Sequence, residues 1–468
     1  MSCSFAVRTA QLAVLVFCAL ALPAGAADPF NTSALYSAGP GSRLLRAPCL
    51  PLPAGSTLDL AQVVEQALCN NPQTRLAWAN ARGQAAQVGM AQSAYLPTIN
   101  ASAGRNRAVT EAANGNDKTT RNQTTAGLSL SYLLFDFGGR EATLEQARQM
   151  MAALSFSEDA TLQGVFLAAV QAYYNALAAE AAVAAARESE RASQESFKAA
   201  EARYRIGSGT PADRLQAQTA AAQAGLARIQ AEGNARTALG VLANTMGLDA
   251  HEAPKLAAPA EAVPHSDFER NITELITEAK QQRPDLAAAE AQVRAAEANI
   301  DATRASGLPS ISLSAGYNYT NSGHLPDSVR GNSIGIAVSI PLFSGFNTNY
   351  KVRAAEAQLD AKLAQRDQVS KLVSLEVWRA YYALQTSTES VRASTSLVAS
   401  AEQSEKVATG RYKAGVGGVL EMLNAQSALA SARQQHIQAQ YNWRVAKAAL
   451  AQAMGQLDFD QINRQVKP

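Results

Sequence analysis

The chain has 468 residues, of which 47% are hydrophobic but only 17% are charged and 6% aromatic, and its formal net charge is +2. This near-neutral charge argues against a nucleic-acid partner, which would require a clustered basic face. Because much of the hydrophobicity comes from alanine, the composition favours long, closely packed helices over one thick globular core.

The first 26 residues are predicted to be an export signal. Arg8 supplies a positive start, "LAVLVFCALAL" an apolar centre and "PAGAAD" a small-residue cleavage site, which places the cut after Ala26. A membrane anchor is the alternative, but the apolar run is too short to span a bilayer and ends in Pro23 and Gly25. Residues 27–57 then form an N-terminal segment of the exported protein.

Two cysteines remain after the signal is removed. Cys3 and Cys18 leave with the signal, whereas Cys49 and Cys69 form an even pair in an oxidising compartment. We predict a disulfide that ties the segment "APCLPLP" to the helix that follows it. Two buried free thiols are the alternative.

The rest of the chain is written twice. Repeat 1 spans residues 58–249, a linker covers 250–270, repeat 2 spans 271–455, and residues 456–468 form a C-terminal tail. Matching landmarks are first separated by 212 positions (283 − 71) and later by 208 (343 − 135), so one repeat has the longer loop between them. The landmarks are Asn71-Pro72 with Arg283-Pro284, Leu96-Pro97 with Leu308-Pro309, Leu134-Phe135 with Leu342-Phe343, Ala172-Tyr173-Tyr174 with Ala380-Tyr381-Tyr382, and Met246-Gly247 with Met454-Gly455.

Each repeat begins with a helical pattern and then changes to a period of two. In repeat 2, "SISLSAGYNYT" and "SIGIAVSIPLF" alternate apolar and small polar residues around a polar loop. We therefore predict β-hairpins at about 97–137 and about 309–343. Their strands are about ten residues long, the length that crosses a bilayer at a tilt.

A very long helix follows each hairpin. Residues 140–206 contain no proline and one glycine, and 67 residues of helix (206 − 140 + 1) extend on the order of 100 Å. In repeat 2 the apolar residues recur at helical spacing, as in a coiled-coil seam. They are Val369, Val373, Val377, Tyr381 and Leu384.

A glycine-rich tip ends each long helix, at 203–213 ("RYRIGSGTPAD") and at 411–421 ("RYKAGVGGVLE"). Gly207 suits the left-handed position that stops a helix. Thr210 suits the N-cap and Asp213 the third position of a second helix. The tip is therefore predicted to be the turn of a helical hairpin. A phosphate-binding loop is the alternative, but no Gly-Lys-Ser/Thr follows the glycines.

Four strands cannot close a barrel, and open sheet edges are not tolerated in lipid. Three chains would supply twelve strands, which is within the range of known barrels. The predicted fold class is an internally duplicated α+β membrane protein. Long antiparallel helical hairpins form an α-barrel, and four strands per chain join a shared, trimeric twelve-stranded β-barrel.

The chain resembles the TolC family of outer-membrane exit ducts over nearly all of its mature sequence. The resemblance is carried by the duplicated motifs "NNP/QRP", "YLP/GLP", "LLFDFGG/PLFSG", "AYYNAL/AYYALQ" and the two tips. It implies a non-enzymatic homotrimer in outer-membrane lipid, with a helical tunnel that projects into the periplasm. It also implies a periplasmic adaptor protein and an inner-membrane transporter as partners.

Within the family, "CNNPQTRLAWANAR" and the Cys49/Cys69 pair resemble the branch that serves type I protein secretion. The resemblance implies the export of a protein toxin, and an adenylate cyclase toxin is one candidate cargo. Multidrug or metal efflux is the alternative function. A coiled-coil surface protein is a more distant alternative, but it does not explain two strand pairs at matching places.

The resemblance also implies a gate at the tips. The aspartate and tyrosine that the family pairs between hairpins fall on Asp213 and Tyr412. An arginine that adds a further link falls on Gly417, so that link is absent. Two acids that ring the pore fall on Glu421 and Asn424, which leaves one acid and one neutral side chain. The tips that dock the adaptor contain Gly207, Gly209, Gly415 and Gly417.

Other site chemistry is not indicated by the sequence. The four histidines are scattered without the spacing of metal ligands, so no metal and no cofactor are expected. No Ser/His/Asp or Cys/His constellation stands out, which argues against a periplasmic enzyme.

Overall fold

A computed structural model describes residues 28–37, 39, 57–111, 118–252, 254–257, 270–322 and 328–457. The elements of repeat 1 are β1 (Thr57–Leu58), α1 (Leu60–Asn70), α2 (Pro72–Ser93), β2 (Thr98–Glu111), β3 (Lys118–Phe135), α3 (Gly139–Arg205) and α4 (Pro211–Thr245). Those that follow are β4 (Lys255–Leu256), α5 (Ile272–Gln282), α6 (Pro284–Ala305), β5 (Ser310–Ser322), β6 (Val329–Ser339), α7 (Asn347–Lys413) and α8 (Val419–Ala453).

The helices of the two repeats match in length. Helices α1 and α5 have 11 residues each, α2 and α6 have 22, α3 and α7 have 67, and α4 and α8 have 35. The first two pairs are offset by 212 positions (272 − 60) and the last two by 208 (347 − 139). The whole change of four residues therefore lies in the strands and in the segments that connect them.

Proline and N-cap residues set where several helices begin. Pro72, Pro211 and Pro284 each occupy the first turn, where a missing N–H costs nothing. Helix α1 begins with a capping box, because Asp59 accepts from the Gln62 backbone and the Gln62 side chain accepts from the Asp59 backbone. Cap chemistry visible in the sequence thus fixes these starts.

Strands β2, β3, β5 and β6 form one antiparallel sheet in the order β2-β3-β5-β6, with β2 and β6 at its open edges. Cross-strand partners share a face, and the two faces differ in chemistry. One face pairs Leu128 with Tyr317, and Ala315 with Ile334. The other face carries small polar residues, among them Asn100, Ser102, Ser129, Ser314 and Ser333.

Helix α3 is the centre of the helical part, because it packs against α1, α2, α4, α6 and α8. Helix α7 packs against α5, α6 and α8. The main core lies where α1 and the end of α4 meet the middle of α3. Its fully buried members include Val63, Val64, Leu68, Phe166 and Leu242.

Repeat 2 builds an equivalent core from α5, α7 and α8. It contains Leu275, Val373, Val377, Leu450 and Met454. Three of the apolar residues predicted to form a helical stripe on α7, Val373, Val377 and Leu384, are buried members of this core, and Val369 and Tyr381 pack against it. The stripe is therefore the seam along which α7 meets its neighbours.

Helices that could cross a membrane are not found in the described part of the chain, since none has a long enough apolar stretch. Cys69 lies on α1, is 6% exposed and is disulfide-bonded. Its predicted partner, Cys49, lies outside the described residues, as do the export signal and most of residues 456–468. The pairing of Cys49 with Cys69 therefore stays a prediction.

Candidate channel wall and helical tip

The tip of the first hairpin is the turn from α3 to α4. The amides of Ser208 and Gly209 both donate to the Arg203 carbonyl, at 2.9 and 3.1 Å. Gly207 has φ +76°, the left-handed conformation that ends a helix at low cost for glycine. Helix α4 then begins with a capping box in which the side chains of Thr210 and Asp213 each bond the other's backbone amide. The predicted turn chemistry is present at each position.

The tip of the second hairpin repeats this backbone. The amides of Val416 and Gly417 donate to the Arg411 carbonyl at 3.0 and 3.1 Å, and Gly415 has φ +80°. A Cβ atom at Gly417 would lie 2.9 Å from the Arg411 Cβ atom, and one at Gly209 would lie 3.2 Å from the Arg203 Cβ atom. The turn therefore folds tightly back onto the Arg-Tyr pair that precedes it.

Tyr412 is held by a residue that the sequence did not single out. The Arg203 guanidinium lies over the Tyr412 ring, 4.3 Å from its centroid. The same guanidinium donates through Nη2 to the carbonyls of Tyr412 (2.5 Å) and Lys413 (3.2 Å), which end α7. Cation–π attraction and the negative helix end both favour this placement. Arg203 thus joins the first hairpin to the second.

Tyr412 is also packed. It is 5% exposed and lies in a small cluster with Ala200, Ala217, Val419 and Met422. The predicted link from Tyr412 to Asp213 is not made within the chain. The Asp213 carboxylate instead accepts from the Thr210 hydroxyl at 2.8 Å. The link therefore stays a prediction for the assembled protein.

The two residues predicted to ring the pore lie on one exposed face of α8. Glu421 and Asn424 are three positions apart, so they neighbour each other on the helix surface. The Glu421 carboxylate lies 3.6 Å from the Arg411 guanidinium, and both side chains are about half exposed. An exposed pair at this distance contributes little to stability and leaves the acid accessible to water.

Farther from the tips, an aromatic and cationic cluster joins α3 to α8. Arg444 lies over the rings of Tyr174 and Tyr441, at 5.7 and 5.4 Å from their centroids. Burial raises the pKa of both tyrosine hydroxyls. Burial also lowers the pKa of the Lys447 ammonium, which lies 5.0 Å from the Trp443 ring centroid, and the charge of Arg444 lowers it further. Tyr174 therefore fills space between α3 and α8.

A groove of about 560 Å³ runs between α3, α4 and α8. Its lining consists of Ala, Ser, Asn and Gln with one isoleucine, and includes Asn175, Ala182, Ala231 and Gln434. No charged side chain lines this groove. In the described ranges, His, Cys, Asp and Glu side chains form no group of three or more that could hold a metal ion.

The model of a known family, described as outer membrane efflux protein, matches the chain in two segments, residues 63–248 and 275–456. The chain belongs to the outer membrane efflux protein (TolC) family. The two matched segments correspond to the two repeats, and the predicted family and fold class are confirmed. As a member, the protein is an outer-membrane channel with a periplasmic tunnel, and not an enzyme.

Individual members of the efflux protein family are similar to this chain over most of their length. Protein CyaE of Bordetella pertussis is 33% identical over 97% of each chain. The alkaline protease secretion protein AprF of Pseudomonas aeruginosa is 27% identical over 86% of this chain and 85% of its own. The crystal structure of a membrane protein from Pseudomonas aeruginosa has a TM-score of 0.75 and 25% identity, and it covers 88% of this chain and 100% of its own.

Channels of this family form trimers and work with an adaptor and an inner-membrane transporter in tripartite systems. A single chain leaves some large apolar side chains exposed on its long helices. Helix α4 exposes Leu226 and Ile229, and α7 exposes Leu397 and Val407. The edge strands β2 and β6 likewise leave backbone groups unpaired in a single chain, and these are available to strands of neighbouring chains.

Proposed function

We propose that the protein is the exit duct of a type I secretion system that exports a protein toxin, and that it is passive and gated at its helical tips. The observation that carries the proposal is the two-faced sheet. Its two open edges require strands from neighbouring chains, and the long helices that follow its strands would extend the closed barrel as a tube. The similarity to a relative named for alkaline protease secretion supports protein as the cargo. The apolar sheet face would meet outer-membrane lipid, and the polar face would line the water-filled channel.

The channel-wall assignment predicts alternating chemistry along β3. Cysteine at Ser129, on the polar face, should react about tenfold faster with a water-soluble maleimide than cysteine at the adjacent Leu128, because thiolate forms in water and not in lipid. The measurement is the labelling rate of each single-cysteine variant in purified outer membranes. Leu128→Cys is the matched control, since it lies one residue away. Equal labelling rates at the two positions would contradict the assignment of the sheet to the bilayer.

Protein secretion and small-molecule efflux predict different phenotypes for cells that lack the chain. If the duct exports a toxin, the toxin should disappear from the medium and accumulate in the cells. Sensitivity to hydrophobic antibiotics and to metals should be unchanged. The measurement is the toxin content of medium and cell fractions beside growth inhibition by the antibiotics. Normal toxin export with raised antibiotic sensitivity would favour the alternative, a multidrug efflux duct.

For the gate, we propose that Asp213 and Tyr412 link the hairpins in the closed trimer, and that Glu421, next to the neutral Asn424, gives the pore a cation preference. Support comes from the places of these residues at the tip and from the exposure of Glu421. The glycines of the two tips, Gly207, Gly209, Gly415 and Gly417, would present the turns to the adaptor. Ion selectivity of Glu421→Gln in planar bilayers tests the ring, and an unchanged selectivity would exclude it.

A further inference from the structure

The Arg-Tyr pair occurs at the end of both long helices, but only one of its two cross-contacts is complete in a single chain. Arg203, at the end of α3, stacks on Tyr412, at the end of α7, and donates to the carbonyls that close that helix. We call this contact the clasp. It reaches from the first hairpin to the second, which is the next hairpin along the wall of the tube.

The equivalent residues, 208 positions away, are Arg411 and Tyr204, and each forms only half of a clasp. Arg411 is 54% exposed, and its nearest acid is Glu421 at 3.6 Å. Tyr204 is 38% exposed, whereas the clasped Tyr412 is 5% exposed. Arg214 approaches one side of the Tyr204 ring, at 5.3 Å from the centroid, and does not bury it. Among the described residues, Arg411 therefore lies over no ring, and the Tyr204 ring meets only Arg214 and stays partly exposed.

The packing of the helices indicates where the missing halves meet. Within the chain, α3 of the first hairpin packs against α8 of the second. The same relation, moved on by one hairpin, brings α7 against α4 of the next chain. The apolar faces of α7 and α4 that are open in a single chain fit this contact. It also brings the Arg411 side chain toward Tyr204 of the partner subunit, the equivalent of the Tyr412 ring that Arg203 contacts within the chain.

We propose that Arg411 clasps Tyr204 of the partner subunit, stacking on its ring and donating to the carbonyls at the end of its helix. The inference rests on the proposed trimeric duct. Two hairpins in each of three chains would then be joined by alternating clasps, one within each chain and one between each pair of chains. Arg411 would supply a positive charge to the tip, where Gly417 leaves the arginine of the resembled pattern absent.

Paired cysteines distinguish the two kinds of clasp. In the full-length trimer, Tyr204→Cys with Arg411→Cys should be linked between chains by a short bifunctional methanethiosulfonate reagent, which gives dimers and trimers on a denaturing gel. The matched pair Arg203→Cys with Tyr412→Cys should be linked within the chain and leave the monomer band. The four single variants control for links to other cysteines.

Linking of the 204/411 pair within one chain, or no linking in a protein that light scattering shows to be trimeric, would overturn the clasp and leave the duct intact. A monomeric protein would overturn the duct proposal together with the clasp. The wild-type oligomeric state, measured in the same detergent, therefore separates the two failures.

The contact can also be tested without cysteine. The readout is the open probability of single channels. Tyr204→Phe keeps the aromatic face and should leave the open probability unchanged, whereas Tyr204→Leu should raise it roughly tenfold. Arg411→Met should behave like Tyr204→Leu, and Lys413→Met controls for the loss of a charge at the same helix end. Equal effects of the phenylalanine and leucine variants would show that the ring face has no such role.

Discussion

Replacing Gly247 by alanine is expected to lower the free energy of unfolding by about 3–5 kcal/mol. Gly247 ends α4 with φ +74°, a conformation that costs an alanine about 1–2 kcal/mol. Its added Cβ atom would lie 2.5 Å from the carbonyl oxygen of Asn70 and 2.6 Å from the carbonyl carbon. Both are backbone atoms at the end of α1, so no side-chain rotation relieves the overlap and the helix ends must separate.

Thermal denaturation of the detergent-solubilised protein, followed by circular dichroism, measures the effect. Gly164→Ala is the matched control, because Gly164 lies inside α3 and an added Cβ atom meets nothing within 4 Å. Alanine there should raise the free energy of unfolding by about 0.5–1 kcal/mol through helix propensity. Similar denaturation temperatures for the two variants would contradict the close approach at Gly247.

Replacing Arg283 by methionine is expected to lower the free energy of unfolding by about 3 kcal/mol. The Arg283 side chain is 6% exposed, forms a two-bond fork with Asp285 at 2.6 and 3.0 Å, and also pairs with Glu376 on α7. Its removal leaves two carboxylates without their cation. The loss lies at the low end for a broken buried pair, because each acid keeps about a third of its side chain in water.

The same thermal denaturation measures this loss, with Arg191→Met as control. Arg191 pairs with Glu188 at 3.2 Å on the surface of α3 and is 72% exposed, so its removal should cost less than about 1 kcal/mol. Arg283→Asn adds a second comparison, since Asn71 occupies the equivalent position in repeat 1 and caps α2. Asparagine can cap α6 but cannot reach Glu376, so it should restore only part of the stability. Full stability in Arg283→Met would show that the ion pairs are dispensable.

Much of the fold could be predicted because its signals are local. Long runs without proline predicted α3 and α7, period-two alternation predicted the strands, and cap residues such as Thr210 predicted the tips. The landmark Asn71-Pro72 of repeat 1 also has a local cause, because the Asn71 side chain caps α2. The residue before this proline also makes a long-range contact in each repeat, which local signals do not predict. Asn71 donates to the Thr245 carbonyl and Arg283 to the Ala453 carbonyl, so each landmark anchors the last helix of its repeat.

The candidate site was less accessible to sequence reasoning for the same reason. Arg203 and Tyr412 are 209 positions apart, and no spacing rule brings them together. Asp213 was assigned to Tyr412 by resemblance, but within the chain it is engaged by Thr210, three residues away. One signal could have pointed to the clasp. Arg and Tyr are repeated together before both tips, and such a repeated pair suggests a contact made from one repeat to the next.

The mismatch of four residues between the repeats has a consequence for the symmetry of the assembled duct. Helices α3 and α4 match α7 and α8 residue for residue, whereas β2 and β3 have 14 and 18 residues and β5 and β6 have 13 and 11. A trimer therefore has six helical hairpins of nearly equal length at its periplasmic end. At its other end, long and short strand hairpins alternate. A ring-shaped partner in the periplasm therefore meets six nearly equivalent helical tips. A molecule outside the cell meets three identical pairs of unequal strand hairpins.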